Sequence, residues 1–243
     1  MTISVVIPTL NEERSLPTTL ARAVELGFDE IIVVDGGSRD RTRDIVAQFE
    51  VRCSTFASSP SNHEPRTALT LLTAPAGRAS QMNAGAAVSR GEVLLFLHAD
   101  TLLPPDARAA IERALEDPAC VGGRFDVRFD RDSLLGRLIG RMINLRSRWT
   151  GIATGDQAMF VRRSAFERLG GFSDIPIMED VDLSRHLKRI GQVAALRSRV
   201  VTSFRRWEAR GPIRTVALMW VLRFLYWVGI RPGTLTRLYT AVR

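Results

Sequence analysis

The sequence has 243 residues, 45% of them hydrophobic, which is enough for a large core built as one domain or as two small ones. It contains no fixed-period repeat and no low-complexity stretch, so repeat architectures are excluded. The net charge of +8 suits a pyrophosphate-containing ligand or an anionic membrane surface. It does not indicate a nucleic-acid partner, because the arginines are scattered, Lys188 is the only lysine and no aromatic-basic surface is visible.

Apolar β-branched runs and amphipathic segments alternate through the first hundred residues. The predicted strands are Ile3–Ile7, Glu30–Val34, Val51–Phe56, Leu69–Thr73 and Glu92–Leu97. The predicted helices are Ser15–Glu25, capped by Ser15 and stopped by Gly27, then Arg41–Phe49, capped by Asp40, and Ala79–Ser89. Between them, Ala57–Arg66 is rich in Ser, Pro and Asn, which predicts a surface loop.

The second half of the chain is less regular. Gly122–Asp130 and Asp156–Val161 are predicted strands, Leu134–Trp149 is a predicted helix, and Glu179–Ile190 is a helix with acids at its start, where the helix dipole favours them. Alternation of this kind predicts an α/β fold with a mostly parallel sheet and helices on both faces.

The cysteines and the N-terminus bear on the cellular compartment. Cys53 and Cys120 lie in predicted strands or strand edges, and neither is part of a Cys-x-x-Cys pair. With so few histidines, neither a zinc site nor a disulfide framework is predicted, and we interpret both as buried thiols in a reducing compartment. The N-terminal MTISVVIPTL lacks the features of a secretion signal, which predicts a cytoplasmic protein.

Polar clusters follow three of the predicted strands. Thr9–Glu12 follow the first strand, Asp35 follows the second, and His98–Asp100 follow Leu97. In parallel α/β sheets, ligands bind beyond the carboxyl ends of the strands. This coincidence is the strongest argument from the residues alone for a binding site.

Four ordered motifs resemble the family 2 glycosyltransferases, which have the Rossmann-like GT-A fold. They are VVIPTLNEE, VVDGGSRDRT, GRASQMNAGAAVSRGEVLLFLHADT, and GGF followed by MEDVDLSRHL, and together they extend over nearly the whole chain. FLHADT, ATGDQAMFVRR and FRRWEARG are most similar to a bacterial branch named the radical-SAM/selenodomain-associated transferases. The resemblance implies one domain over 1–243, with a nucleotide-binding half (1–100), an acceptor and catalytic half (101–210) and a C-terminal helical segment (211–243).

The resemblance assigns the donor nucleotide-sugar, a UDP- or GDP-sugar, to the first half of the chain. Asp35 corresponds to the acid that recognises the base or ribose, although the second acid of the usual Asp-Asp-Gly-Ser is Gly36 here. Shaping of the turn is the alternative role for Asp35. Arg78 corresponds to a basic residue that contacts donor phosphate or nucleoside. The other donor-side positions are Pro8, Thr9, Asn11, Glu12, Gly37, Ser38, Gln81, Asn83, His98 and Ala99.

Asp100 corresponds to the family's metal ligand. The last acid of the family's Asp-x-Asp-like motif binds Mn²⁺ or Mg²⁺ against the donor diphosphate, and carboxylate and phosphate oxygens are the ligands expected for such a cation. This sequence reads His98-Ala99-Asp100 instead, so a histidine replaces the first acid of the motif. His98 either contacts the ribose or joins the ligands of the metal, or it only makes hydrogen bonds within the fold at the end of its strand.

The resemblance also assigns the second half. Glu179-Asp180 corresponds to the family's acidic pair, in which the Asp takes the proton of the acceptor hydroxyl, so Asp180 is the predicted general base of an inverting transfer. Gly155, Asp156 and Gln157 are predicted to line the acceptor or donor-sugar pocket. Arg206 and Trp207 correspond to an Arg-Trp pair that closes over diphosphate and acceptor, and Ser203 replaces the upstream Gln of processive relatives.

Val216–Ile230 is apolar apart from Arg223 and is shorter than the ~20 residues of a spanning helix. Packing on the core or a homodimer contact is favoured. Peripheral membrane contact through 213–231, with Trp220, Tyr226 and Trp227 as anchors, is the alternative and would suit a lipid-linked acceptor.

Two functions other than glycosyl transfer stay open. The first is that of a sugar nucleotidyltransferase, although this sequence lacks the Gly-rich N-terminal loop expected of that class. The second is that of a non-catalytic or membrane-associated nucleotide-sugar-binding module.

Overall fold

The structure is a computed structural model that describes the backbone of residues 1–57 and 67–241. Side chains are described for residues 1–51, 67–205, 207–208 and 211–239. The predicted surface loop therefore lies outside the described residues apart from Ala57, and so does the side chain of Cys53. Cys120 is buried, as predicted.

In the described ranges eight strands form one sheet in the order β3-β2-β1-β4-β7-β6-β8-β5. The strands are β1 (Ile3–Thr9), β2 (Glu30–Asp35), β3 (Ala68–Thr73), β4 (Val93–Phe96), β5 (Thr101–Leu102), β6 (Cys120–Phe129), β7 (Met159–Arg162) and β8 (Gln192–Thr202). Only β5 and β7 run antiparallel to the other described strands. The predicted α/β fold with a mostly parallel sheet is confirmed.

Ten helices and one short 3-10 turn, Gly155–Gln157, lie in the same described ranges. The helices are α1 (Leu16–Glu25), α2 (Thr42–Ala57), α3 (Arg78–Val88), α4 (Ala107–Ala114), α5 (Leu134–Thr150), α6 (Arg163–Arg168), α7 (Glu179–Ile190), α8 (Arg205–Arg210), α9 (Pro212–Trp227) and α10 (Pro232–Ala241).

The buried strands divide their side chains between two hydrophobic clusters, one on each face of the sheet. In β1, Val5 and Ile7 join the first cluster with α1, α2 and α4, whereas Val6 joins the second with α3, α6 and α7. Side chains alternate in the same way along β2 and β4. Burial on both faces is why these strands are continuous apolar runs in the sequence.

Several local predictions were wrong. Val51–Phe56 is the C-terminal part of α2 and not a strand, since no Gly or Pro interrupts the chain between Thr42 and Ala57 and the helix continues. Asp156 lies in the 3-10 turn, and the predicted strand begins only at Met159. Ser15 precedes α1, but its side chain accepts no capping hydrogen bond, and its hydroxyl donates to the Glu12 carboxylate.

The C-terminal segment forms α9 and α10, and one face of α9 packs on the fold. Leu222 is fully buried with Val181 of α7, and the hydroxyl of Tyr226 donates to Asp182 at 2.8 Å, so Tyr226 is held by α7 and is not a free surface anchor. Trp220 and Trp227 are more than half exposed. None of the helices in the described ranges combines the length and the apolar character needed to cross a membrane.

At Gly85, helix α3 packs closely on the sheet. A Cβ on Gly85 would lie 2.5 Å from Val6 Cγ1 and 2.9 Å from Val34 Cγ2. Gly85→Ala is therefore expected to lower the free energy of unfolding by about 1–3 kcal/mol, despite the higher helix propensity of Ala. Urea unfolding measures this. The control is Gly233→Ala in α10, where an added Cβ would have no packing neighbour within 4 Å. Equal urea midpoints for the two variants would contradict the expectation.

Candidate active site

The loops after β1, β2 and β4 meet at one edge of the sheet, as the sequence predicted, because β1 lies between β2 and β4. Hydrogen bonds join the first two loops directly. The amide N–H of Asn11 donates to Ser38 Oγ at 2.9 Å, and the side-chain oxygen of Asn11 accepts from the Arg39 N–H at 2.8 Å. The N–H of Glu12 donates to Thr42 Oγ1 at 2.8 Å. Pro8 and Thr9 end β1 and are buried beneath these loops.

The Asp35 carboxylate is buried and bonded within its own turn. It accepts hydrogen bonds from the N–H groups of Gly37 and Ser38, each at 3.0 Å, and from the Ser38 hydroxyl. These contacts fulfil the alternative role of shaping the turn. Recognition of a base or ribose by Asp35 stays a prediction.

Gln81 and Asn83 connect distant parts of the backbone. The Gln81 amide nitrogen donates to the carbonyls of Thr9 at 2.8 Å and Val34 at 2.7 Å. A Cβ on Gly36 would lie 3.1 Å from the Gln81 amide, so Gln81 occupies space next to the position of the family's second acid. Asn83 exchanges two hydrogen bonds with the backbone of Phe172. Both side chains position loops of the site.

Three segments that are far apart in sequence meet at His98. Its Nδ1 lies 3.3 Å from Asp156 Oδ1. Gly155 packs directly on the ring, since a Cβ there would lie only 2.4 Å from His98 Nε2. The Gly155 N–H donates to Asp180 Oδ2 at 2.7 Å. The predicted metal motif, the 3-10 turn and the predicted base therefore form one connected group. Gln157, by contrast, is fully buried and donates to the Phe125 carbonyl.

Glu179 and Arg78 form an ion pair beside the Asp180 carboxylate. Arg78 Nε lies 2.9 Å from Glu179 Oε1, with the Glu179 side chain 3% exposed and that of Arg78 43% exposed. Burial raises the pKa of Glu179, and Arg78 only partly offsets this. Burial opposes the charge on Arg78, but Glu179, Asp180 and Asp156 outweigh it and raise the pKa of Arg78. Arg78 thus links the predicted donor side to the acidic pair.

Left-handed backbone conformations border the acidic residues. Met178 precedes the acidic pair with φ of 71°, and Ala158 follows the 3-10 turn with φ of 45°. Conformations of this kind cost about 1–3 kcal/mol outside glycine and cluster at functional sites. Both therefore lie within two residues of an acid of the candidate site.

Asp100 lines a cavity with Asp156, Thr202, Ser203 and Trp207. Within the described part of the chain, no group donates a hydrogen bond to the Asp100 carboxylate. Among the described residues no three His, Cys, Asp or Glu side chains form a metal site by themselves. Two carboxylates facing one cavity suit a cation that shares its coordination with substrate phosphates, as Mg²⁺ does in many phosphate-binding sites. The donor set therefore fits a divalent cation bound together with a diphosphate.

The C-terminal helices close the other side of this cavity with Arg214, Met219 and Tyr239. Trp207 also lines it and packs against Phe129, with ring centroids 5.7 Å apart. The side chain of Arg206 lies outside the described residues. Arg146 and Arg223 belong to none of the predicted site motifs, yet both line an adjoining cavity. The sequence gives one indication that Arg223 has a function, since it is the only charged residue in the apolar segment Val216–Ile230.

Known proteins provide an independent comparison by sequence. The profile described as "Glycosyl transferase family 2" matches residues 4–170. "Probable glycosyltransferase YdaM" of Bacillus subtilis is 32% identical over 207 residues, 78% of this chain and 47% of that protein. "Undecaprenyl-phosphate 4-deoxy-4-formamido-L-arabinose transferase" of Pseudomonas paraeruginosa is 34% identical over 170 residues, 66% of this chain and 46% of that protein. The chain spans about half the length of these curated relatives.

Solved structures with the GT-A architecture match the fold. TarS 1-349 of S. aureus aligns with a TM-score of 0.57 and 17% identity over 84% of this chain and 60% of that chain. The mannosyltransferase PcManGT of Pyrobaculum calidifontis, in complex with GDP-Man and Mn²⁺, aligns with a TM-score of 0.56 and 21% identity over 83% and 56% of the two chains. The profile match shows that the chain belongs to glycosyl transferase family 2, and the structures show that it has the GT-A fold.

Proposed function

We propose that this chain transfers a sugar from a UDP- or GDP-sugar to an acceptor with inversion at the anomeric carbon. The observation that carries the proposal is the convergence of His98, Asp100, Asp156 and Asp180 at the carboxyl edge of the sheet, where family members hold donor and acceptor. The continuous sheet supports treating residues 1–243 as one domain. The more specific resemblance, to the radical-SAM/selenodomain-associated branch, stays a prediction.

Asp180 is the proposed general base. Its carboxylate is half-buried and accepts hydrogen bonds from the N–H groups of Gly155 and Val181, both at 2.7 Å. These two donors fix the direction of the carboxylate. An ionised, oriented carboxylate is what removal of a proton from an acceptor hydroxyl requires.

Asp100, with Asp156 beside it, is proposed to hold the divalent cation Mn²⁺ or Mg²⁺, which supplies neutralisation of the charge that develops on the departing diphosphate. Arg78 faces the same region and is proposed to contact the donor phosphates, exchanging part of its contact with Glu179. The loops around Glu12 and Asp35 are proposed to hold the nucleoside.

The acceptor is proposed to be lipid-linked and reached at a membrane surface. The name of the Pseudomonas relative includes undecaprenyl phosphate, and Trp220 and Trp227 are exposed on α9. Exposed Trp side chains are typical anchors at membrane interfaces. A non-catalytic nucleotide-sugar-binding module of the same fold is the alternative proposal, and nucleotide binding with no turnover would favour it.

Titration calorimetry with UDP and GDP, each with Mn²⁺, Mg²⁺ or EDTA, tests the donor site. We expect micromolar binding of one nucleotide that requires the cation and weakens at least tenfold, about 1.4 kcal/mol, in Asp100→Asn. The control is Asp106→Asn, whose carboxylate lies outside the cavity and bonds to Ser198. The absence of any nucleotide binding by the folded wild-type protein would overturn the proposed donor site.

A further inference from the structure

A second cavity adjoins the candidate active site between α5 and α9. It shares Asp156, Trp207 and Met219 with the cavity of Asp100, so the two are continuous at these residues. Its remaining lining is mainly apolar, contributed by Ile139, Met142, Ile143, Val216 and Trp220. Two arginines, Arg146 and Arg223, also face it. An apolar cavity with two guanidinium groups is an unusual combination that calls for a physical cause.

Arg146 carries the clearest sign of a missing ligand. Its Nε and Nη2 atoms are buried, and neither has a hydrogen-bond partner among the described residues. Burial first, and then the charge of Arg223, lower the pKa of Arg146 to about 9, so the group is still positive at pH 7. Buried donors in native proteins are nearly always paired, because an unpaired one costs the full desolvation penalty. An anion in the cavity would satisfy both atoms.

Arg223 brings a second positive charge to the same cavity from α9. Burial lowers the pKa of Arg223, and Asp180 and Asp156 oppose this shift. The cavity is therefore electrostatically coupled to the proposed base and to the 3-10 turn. An anion bound between Arg146 and Arg223 would lie next to the acceptor side of the active site.

An exposed apolar surface continues outward from this cavity. On α5, Leu134, Leu138, Met142, Leu145 and Trp149 are all at least 40% exposed and recur at helical spacing. On α9, Trp220 and Phe224 are more than half exposed. Met142 and Trp220 belong to both the cavity and this surface. A contiguous apolar surface of this kind marks an interaction site.

We propose that the cavity between α5 and α9 binds the phosphate group of a lipid-linked acceptor, with Arg146 and Arg223 on the phosphate and the apolar chain along the exposed faces of the two helices. The hydroxyl that receives the sugar is a separate group of the same acceptor. The proposal rests on the proposed glycosyltransferase function and assigns a site to the phosphate of the lipid-linked acceptor. The charge pair excludes a neutral lipid as the preferred ligand, and the apolar walls disfavour free phosphate. A long chain with one anionic end matches both features of the cavity.

Farnesyl phosphate below its aggregation concentration is a direct probe. Trp207 and Trp220 line the cavity, so intrinsic tryptophan fluorescence reports its occupancy. We expect farnesyl phosphate to bind at least tenfold more tightly than either farnesol, which lacks the phosphate, or inorganic phosphate, which lacks the chain. Equal binding of farnesol would overturn the role of the arginines, and equal binding of inorganic phosphate would overturn the role of the apolar surface. The absence of farnesyl phosphate binding would overturn the whole proposal.

Arg146→Met and Arg223→Met locate the phosphate. Each variant is expected to weaken farnesyl phosphate binding at least tenfold. In Arg146→Met the melting temperature is expected not to fall, because the substitution removes a buried charge that has no partner for two of its nitrogen atoms. The control is Arg141→Met, an exposed arginine on α5 outside the cavity. Unchanged farnesyl phosphate binding in both cavity variants would contradict the assignment. Titration of UDP or GDP on the same samples separates a failed lipid site from a failed donor site.

Discussion

Asp180→Asn is expected to lower kcat by about 10²–10⁴-fold while the affinity for donor nucleotide changes little. The amide cannot take the acceptor proton, yet its oxygen can still accept the hydrogen bond from the Gly155 N–H that now reaches Asp180 at 2.7 Å. The fold is therefore expected to persist. Release of nucleoside diphosphate at saturating donor and acceptor measures kcat, and calorimetry measures donor affinity.

Asp182→Asn is the matched control for this experiment. Asp182 lies in the same first turn of α7, so its replacement removes the same charge from the helix N-terminus. Its carboxylate accepts hydrogen bonds from Ser173 and Tyr226, contacts that an Asn oxygen can partly keep. We expect a small loss of stability and a kcat close to that of the wild type. A kcat for Asp180→Asn equal to that of the control would rule out Asp180 as the base.

Arg78→Gln is expected to destabilise the protein in a pH-dependent way, because it leaves Glu179 buried without its cation. Breaking a fully buried pair costs about 3–5 kcal/mol, but water reaches Arg78, so we expect about 1–3 kcal/mol near pH 7.5. The double variant with Glu179→Gln should recover most of this loss, since no uncompensated charge remains. Arg22→Gln, which breaks the surface pair with Glu25, is the control and should cost less than about 0.5 kcal/mol.

The sign of the pH dependence follows from Glu179. Burial already raises its pKa in the folded protein, and removal of Arg78 raises it further. A carboxyl group whose pKa is higher in the folded state favours folding while protonated, and this contribution is lost as pH rises through the folded pKa. The stability deficit of Arg78→Gln should therefore shrink as pH falls from 8 towards 5. Melting temperatures across this range measure it, and a deficit that grows towards pH 5 would exclude Glu179 as the cause.

An ion pair and several hydrogen bonds connect the charged residues of the site into one group. Glu179 holds Arg78, Asp180 accepts from Gly155, and Asp156 lies against His98. The replacement of the family's first acid by His98 does not isolate this position, since Asp156 approaches the ring. The mutational effects at these residues are accordingly expected to be coupled rather than additive.

The fold class was predictable because periodicity in the sequence reflects burial. The runs at Ile3–Thr9 and Glu30–Asp35 are buried on both faces, and such strands read as continuous apolar segments. α7 was predicted with its observed ends, since Gly191 follows the last apolar position and acids begin the first turn. Val51–Phe56 was assigned to a strand because β-branched and aromatic residues favour strands, a weak preference that the continuing helix overrode.

For the site, the sequence by itself determined which residue types follow which strands, and therefore that Thr9–Glu12, Asp35 and His98–Asp100 share one edge of a parallel sheet. Only the tertiary structure decided which side chains face the cavities. Gln81 and Gln157 lie in the predicted motifs, but their side-chain amides donate hydrogen bonds to backbone carbonyls. Arg146 and Arg223 lie outside every predicted motif, yet both line one cavity. The physical reason is that strand ends are set by local chain pattern, whereas the partners of a side chain depend on contacts between segments far apart in sequence.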